Sequence, residues 1–213
     1  RALHALRDND RAGSRRNIHD HYDLGNAFFA SFLDPSMTYS SAIFEDPAAS
    51  LEAAQTAKYE RLCRKLELSA DHHVLEIGTG WGGFALHAAR TRGCRVTTTT
   101  ISREQHDLAR ERIARAGLSD RVELLLEDYR DLSGTYDRLV SIEMIEAVGH
   151  RHLPRFFEVC ANRLAPNGAM ALQAILVPER WWEFSKQSVD FIKRYIFPGG
   201  QLVGLGAISE ALS

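Results

Sequence analysis

The sequence predicts an α/β fold, a Rossmann-like parallel sheet covered by helices on both faces, on three observations. Strand-like and helix-like segments alternate from Val74 to Val177, and strands separated by helices of ten or more residues pair in parallel. The stretch Val74-Leu-Glu-Ile-Gly-Thr-Gly-Trp-Gly-Gly-Phe-Ala85 runs an apolar strand into a glycine turn and then a helix. The 213 residues, 45% hydrophobic and 25% charged, are enough to bury one substantial core in an ordinary soluble composition.

The elements follow in order. Residues 17–47 mix aromatics with turn formers, and Asp34-Pro35 and Asp46-Pro47 mark loop boundaries, so this part reads as a short helical segment plus loops. Leu51, Ala54, Lys58, Leu62 and Leu66 fall at helical spacing and predict an amphipathic helix over 48–68. Strands are expected at Val74–Ile77, Arg95–Thr100, Val122–Leu126, Arg138–Ile142 and Ala169–Val177. Helices are expected at Gly83–Arg92, ended by Gly93; from a Ser102/Gln105 capping box to Gly117; and at His152–Leu164, stopped by Pro166-Asn-Gly168. The expected organisation is an N-terminal helical lid over residues 1–47 on a domain over 48–213, with the strands that would complete the sheet absent from the sequence. No internal repeat or low-complexity segment interrupts it.

The formal charge of −2 gives no general attraction to nucleic acid. Locally, the first sixteen residues carry five arginines against two aspartates, suited either to an anionic surface or to a solvated leader. The longest uncharged apolar runs, such as Gly168–Pro178, fall short of the roughly 20 residues that cross a bilayer, and Arg1–Arg16 lacks the apolar centre of a signal peptide. The expectation is a cytoplasmic protein. Cys63, Cys94 and Cys160, widely spaced and without a C-x-x-C pair, point to free thiols and not to zinc or disulfides.

Gly78, Gly80 and Gly83 satisfy G-x-G-x-x-G, which taken alone suggests a dinucleotide. A dinucleotide site needs an acid at the end of the second strand for the ribose, and here that strand ends Thr97-Thr-Thr-Thr-Ile-Ser102 with Gln105 beyond it. Acids stand elsewhere, at Glu76 before the turn and at Asp128 with Tyr129 after the third strand. S-adenosylmethionine has no phosphate and carries ammonium and sulfonium charges. It suits this set better: glycines for close approach, Gln105 for the ribose, Asp128 to accept from the adenine amino group and Tyr129 to cover the ring.

Six motifs in order then resemble the cyclopropane fatty acid synthase family. They are His21-Tyr-Asp-Leu-Gly-Asn26, Phe32-Leu-Asp-Pro35, Met37-Thr-Tyr-Ser-Ser-Ala42, Glu76-Ile-Gly-Thr-Gly-Trp-Gly-Gly83, Glu143-Met-Ile-Glu-Ala-Val-Gly149 and Tyr195-Ile-Phe-Pro-Gly-Gly200. Glu143–His150 and Leu172-Gln173 look nearer the plant-type and actinobacterial branches. The resemblance implies a class I S-adenosylmethionine-dependent methyltransferase that adds a carbon to a cis double bond of a phospholipid fatty acyl chain, at the inner membrane face. The product is a cyclopropane, a methylene or a methyl branch. For the cofactor it implies Tyr39 and Ser40 at the methionine end, Gly78 and Gly80 at the turn, Thr100, Ile101 and Gln105 at the ribose, and Asp128 with Tyr129 at the adenine. For catalysis it implies a bound bicarbonate as base, with Glu146 and Ile175 in its pocket and Glu143 beside them. Ser41 stands where the family usually has cysteine, Gln173 where many members have histidine, and Thr79 where the glycine loop has cysteine; Ser41 and Gln173 keep the ability to hydrogen-bond. Leu202-Val-Gly204 replaces an expected Leu-Pro-Ser.

The carbocation such chemistry leaves needs dry walls, to which Phe28, Phe29, Phe32, Tyr39 and Phe44 are candidates beside an ordinary packing role. Trp181-Trp182, with Arg180 and Lys186 nearby, reads either as an interfacial anchor or as core packing over the site. His19-x-His21, His72-His73 and His150-x-His152 are too scattered for a metal, and none is expected. Two other functions fit the same residues: a small-molecule methyltransferase on this fold, or a catalytically silent cofactor-binding module. Peripheral membrane contact is expected, nucleic acid is not, and a homodimer is admitted.

Overall fold

The computed structural model describes residues 9–22 and 25–213. Five strands form one parallel sheet in the order β3-β2-β1-β4-β5: β1 His73–Ile77, β2 Arg95–Thr99, β3 Val122–Leu125, β4 Tyr136–Ile142 and β5 Leu164–Gln173. The chain steps outward from β1 to β3, then returns to β1's other edge for β4. This reversal opens a crevice at the carboxyl ends of β1 and β4, where open α/β sheets take their ligands.

Ahead of the sheet come α1 (Arg11–Tyr22), α2 (Asn26–Ala30) and α3 (Leu51–Lys65). α4 (Gly83–Arg92) connects β1 to β2, α5 (Arg103–Arg115) connects β2 to β3, and α6 (Leu153–Arg163) leads into β5. After β5 come α7 (Glu179–Gln187), a π-helical turn Ile192–Ile196, and α8 (Leu205–Ala211). One apolar cluster, with Tyr59, Leu62, Phe84 and Val96, fills the α3/α4 face of the sheet. A second, with Leu139, Ile145, Phe156 and Ile208, fills the α6/α8 face. Sandwiched between them, β2 buries Thr97, Thr98 and Thr99 completely. Each hydroxyl has a partner: Thr97 donates to Glu123 at 2.8 Å, Thr98 to Glu76 at 2.6 Å, Thr99 to the Glu127 carbonyl at 2.5 Å.

Several boundaries differ from the sequence expectation, each for a local reason. α3 starts at Leu51 because Ser50 caps it, its hydroxyl accepting from Ala53 N at 3.2 Å; Leu51 itself, counted in the apolar stripe, is exposed. The Ser102/Gln105 box is only half formed. Ser102 accepts from Gln105 N at 3.3 Å, but the Gln105 side chain accepts from Thr100 at 2.8 Å and does not reach back to Ser102 N, which bonds Thr100 as well. β4 begins two residues early, at Tyr136. β5 takes up Pro166-Asn-Gly168 as an irregularity between the pairs Tyr136↔Leu164 and Arg138↔Ala169, and ends at Gln173; beyond it only a Leu176↔Val203 bridge continues.

The charged N-terminal stretch is no solvated leader from Asn9 onward. Asn9 and Asn17 are buried, Arg11 pairs with Asp131, and Arg130 donates to the Asn9 carbonyl at 3.1 Å and to Ser14 at 3.2 Å.

Candidate active site

β1 delivers Glu76 and Ile77 to the crevice, and the glycine turn follows. Gly80 has φ +53 and open space where a Cβ would stand, so the backbone there can lie directly against a ligand. Gly83, the third glycine, has a different reason: a Cβ would collide with the Tyr59 hydroxyl, which reaches from α3 to bond Thr38 at 2.5 Å. Arg112 on α5 ties the preceding segment to the same turn, donating to the Ser36 carbonyl at 2.7 Å and the Trp81 carbonyl at 2.9 Å, while Trp81 Nε1 donates to Asn26 at 2.6 Å.

Between these pieces lies a cavity of about 440 Å³. Tyr39, Ser40, Gly78, Gly80, Thr100, Ile101, Gln105, Asp128 and Tyr129 all line it, as do Glu143, Glu146 and Ile175. Ser41 and Gln173 do not; they stand behind Glu143 and hold it. Glu143 Oε1 accepts from Ser41 N at 2.9 Å, from Gln173 Nε2 at 2.8 Å and from the Ser41 hydroxyl, and its φ of +47 is a conformation that non-glycine residues rarely adopt. Glu146 Oε1 accepts from Ile175 N at 2.5 Å, whereas its buried Oε2 has no hydrogen-bond partner among the described residues. Burial pushes the Glu146 carboxyl above its ordinary range, against the Ile175 amide.

The cavity's charge is lopsided: Glu76, Glu127, Asp128, Glu143, Glu146 and Asp190 line it against Arg130 and Lys193 alone among the described residues. A pyrophosphate has little to meet here, and a cation has much. Glu76, buried and bonded by Thr98, is pushed up to about 8 by desolvation. Asp128 goes the other way: burial would raise it, but Arg130, bonding Oδ1 at 2.7 Å and Oδ2 at 2.6 Å, holds it below the usual carboxylate range.

Residues 9–213 match the family model described as "Mycolic acid cyclopropane synthetase". The chain belongs to that family. It is 45% identical over 228 residues to the tuberculostearic acid methyltransferase UfaA1 of Mycobacterium tuberculosis, covering 99% of this chain and 53% of that protein. It is 42% identical over 193 residues to the cyclopropane-fatty-acyl-phospholipid synthase of Escherichia coli K12, covering 90% and 48%. The solved structure of mycolic acid cyclopropane synthase CmaA1 complexed with SAH and CTAB superposes with a TM-score of 0.85 at 30% identity, covering 92% of this chain and 72% of that one. The chain thus spans about half the length of the curated relatives it matches. Its fold is that of the class I S-adenosylmethionine-dependent methyltransferases, five parallel strands of it.

Within this family site, some expectations shift. Of the aromatics expected to wall the cavity, only Tyr39 does so. Phe29 is buried behind it against Trp81, and Phe28, Phe32 and Phe44 are about half exposed. The wall instead takes Phe197, stacked on Tyr39 at 6.1 Å between ring centroids. Of the two tryptophans, Trp182 packs beside the second core cluster and His150 but does not line the cavity, and Trp181 is 50% exposed. His72 caps a turn by accepting from Ser69 N at 3.1 Å, and His73 bonds Thr97 at 2.8 Å; the side chains of His19 and His21 lie outside what the structure describes. Sequence reasoning missed Lys58, read as part of an apolar stripe, whose fully buried ammonium donates to Ser40 at 2.5 Å, and Arg130, whose pairing occupies Asp128. A lysine inside an apolar repeat was the available signal for the first.

Proposed function

We propose that the protein transfers the sulfonium methyl of S-adenosylmethionine to a cis double bond of a phospholipid fatty acyl chain. The observation that carries this reading is the unpartnered, buried Oε2 of Glu146, an acceptor waiting inside a cavity whose other lining suits a cation. When bound, S-adenosylmethionine supplies an electrophilic methyl group and bicarbonate a base.

For the methyl donor, the open backbone at Gly80 admits close approach. Gln105, whose amide oxygen is used by Thr100, keeps its amide nitrogen for ribose, and Tyr129 offers a ring face for adenine. Asp128 serves the adenine end with the lone pairs that Arg130 leaves. Glu143 stands at the opposite end as the carboxylate for the donor's positive charge, set in place by Ser41 and Gln173. Both residues replacing the family's usual ones therefore act through Glu143.

An alkene is a weak nucleophile, and its attack leaves a carbocation in the acyl chain. Tyr39 and Phe197 face that cation with π surfaces and keep water away. Ile175 N fixes Glu146 Oε1, so the free Oε2 is the atom that would hold a bicarbonate by its hydroxyl, and the bicarbonate would supply the base. Loss of a proton from the added methyl with ring closure would give a cyclopropane, and loss of that proton after a 1,2-hydride shift a methylene; a saturated methyl branch would need a separate hydride donor. Trp181 and Phe184, exposed on α7, supply an apolar contact for a bilayer at the cytoplasmic face; no helix among the described residues is long and apolar enough to cross one.

The test is incubation with labelled S-adenosylmethionine and vesicles of mono-unsaturated phospholipid, followed by mass spectrometry of the fatty acids. Label in an acyl chain that has gained one carbon is the expected result. Cofactor binding without transfer to any acyl chain overturns it.

A further inference from the structure

We propose that Lys58 is a positioning residue that commits the Ser40 hydroxyl to donate its proton into the cavity, toward the carboxylate of the bound donor's methionyl end. The inference rests on the cofactor reading above and deepens it.

Lys58 is 0% exposed, and no carboxylate among the described residues forms an ion pair with it; burial lowers its pKa to about 8, with Glu143 and Asp34 acting against this from a distance, so it remains an ammonium at neutral pH. With the Tyr59 ring 5.0 Å from its Nζ but no ion pair, this ammonium is still costly to bury, so its place calls for a reason. Its Nζ lies 2.5 Å from Ser40 Oγ. An ammonium has donors only, so in this pair the hydroxyl is the acceptor, and its own proton must go elsewhere. Among the described residues Ser40 Oγ has no acceptor, and Ser40 lines the cavity. The hydroxyl thereby becomes a one-way donor with a positive charge directly behind it.

The surrounding contacts hold this geometry independently of Lys58. Gln55, one turn earlier on the same helix face, donates to the Ser40 carbonyl at 2.8 Å, and the Tyr59 hydroxyl bonds the Thr38 side chain at 2.5 Å, so α3 holds this segment through Ser40's backbone and Thr38's side chain. The ligand group that fits is an anion. Acidic residues outnumber the two cations, Arg130 and Lys193, in the cavity lining; Arg130 is paired with Asp128, and the Lys58–Ser40 pair adds a further place where an anion is favoured. The donor molecule carries one anionic group, its α-carboxylate.

The experiment is calorimetric titration of the wild type, Lys58→Met, Ser40→Ala and the double variant with two probes. S-adenosylhomocysteine carries the amino-acid end, and 5′-methylthioadenosine lacks it. Lys58→Met should weaken S-adenosylhomocysteine about tenfold, as loss of a charge-assisted hydrogen bond does, and 5′-methylthioadenosine less than about twofold. Ser40→Ala should show the same selectivity, and the double variant should lose little more than the worse single one. Equal losses for both probes, or full additivity, overturn the inference. Should Lys58→Met fail to fold, Lys58→Gln, which keeps a donor but loses the charge, takes its place, with a smaller loss confined to S-adenosylhomocysteine expected and an unselective one fatal. A wild type that binds neither probe refutes the cofactor reading itself, and this inference with it.

Discussion

The end of the cavity at β2 and β3 and the end at β4 and β5 are built on opposite terms. At the first, the polar groups are settled: the β2 threonines, Glu76 and Asp128 are buried and bonded to one another's strands or to Arg130. At the second, Glu143 sits at φ +47 under three donors, and Glu146 keeps one buried oxygen without a partner. A ligand adds to a finished structure at one end and completes an unfinished one at the other. Strained backbone and unmet polar atoms gather where chemistry is done, because a site satisfied by itself has nothing left to offer a reactant.

This contrast can be broken first at Glu146. Glu146→Gln, retaining shape but not the carboxylate, should lower methyl transfer by about 10²–10⁴-fold, the range for a positioned acid–base group, with S-adenosylhomocysteine affinity unchanged in calorimetry. A parallel loss of affinity would mean that the two ends are not separable.

At the settled end the prediction concerns stability. Gly83→Ala should cost about 1–3 kcal/mol by overpacking against Tyr59, read as a lowered Tm, and Tyr59→Phe in that background should recover part of it. No recovery would show that the glycine is needed for something other than space.

Glu76 sharpens the comparison through pH. Its folded-state pKa of about 8 lies above the ordinary carboxylate value, so between the two the folded protein holds a proton that the unfolded chain has released. The stability it contributes is present at low pH and is lost as pH rises toward 8, at up to about 1.4 kcal/mol per unit. Denaturant titrations from pH 5 to 8 should show that decline in the wild type and a flatter profile in Glu76→Gln.

Ser41→Ala removes one of Ser41's two contacts to Glu143, the hydroxyl's, since the backbone amide stays; a fall of about tenfold in kcat is expected, in line with one hydrogen bond to a charged group, with Ser41→Cys restoring most of it. The smallest effect belongs to Trp181→Ala. Being exposed, it should leave Tm within about 0.5 kcal/mol equivalent of wild type while reducing vesicle co-sedimentation.

The same contrast explains what could be read beforehand. α4 matches its expected bounds and the first four strands fall within two residues of theirs, because buried parallel strands and glycine punctuation are local signals, whereas β5 starts five residues early by taking up Pro166-Asn-Gly168. Gly78, Thr100, Gln105 and Tyr129 reach one cavity because strand ends in this topology converge. What stayed hidden is competition between partners. Thr100 takes the Gln105 oxygen from the capping box, Arg130 takes Asp128, and Phe197, far along the chain, takes the wall position for which Phe28, Phe32 and Phe44 were candidates. Each outcome depends on three-dimensional rivalry that residue spacing does not encode.

Arg130 divides its donors among the Asp128 carboxylate, the Asn9 carbonyl and the Ser14 hydroxyl. One guanidinium therefore joins the start of the described chain to the Asp128 wall of the cavity. Removing it would leave the Arg11–Asp131 pair and the Asn9 contact with the Gly199 carbonyl to hold the N-terminal stretch to the cavity wall, so its loss would loosen both together without freeing them.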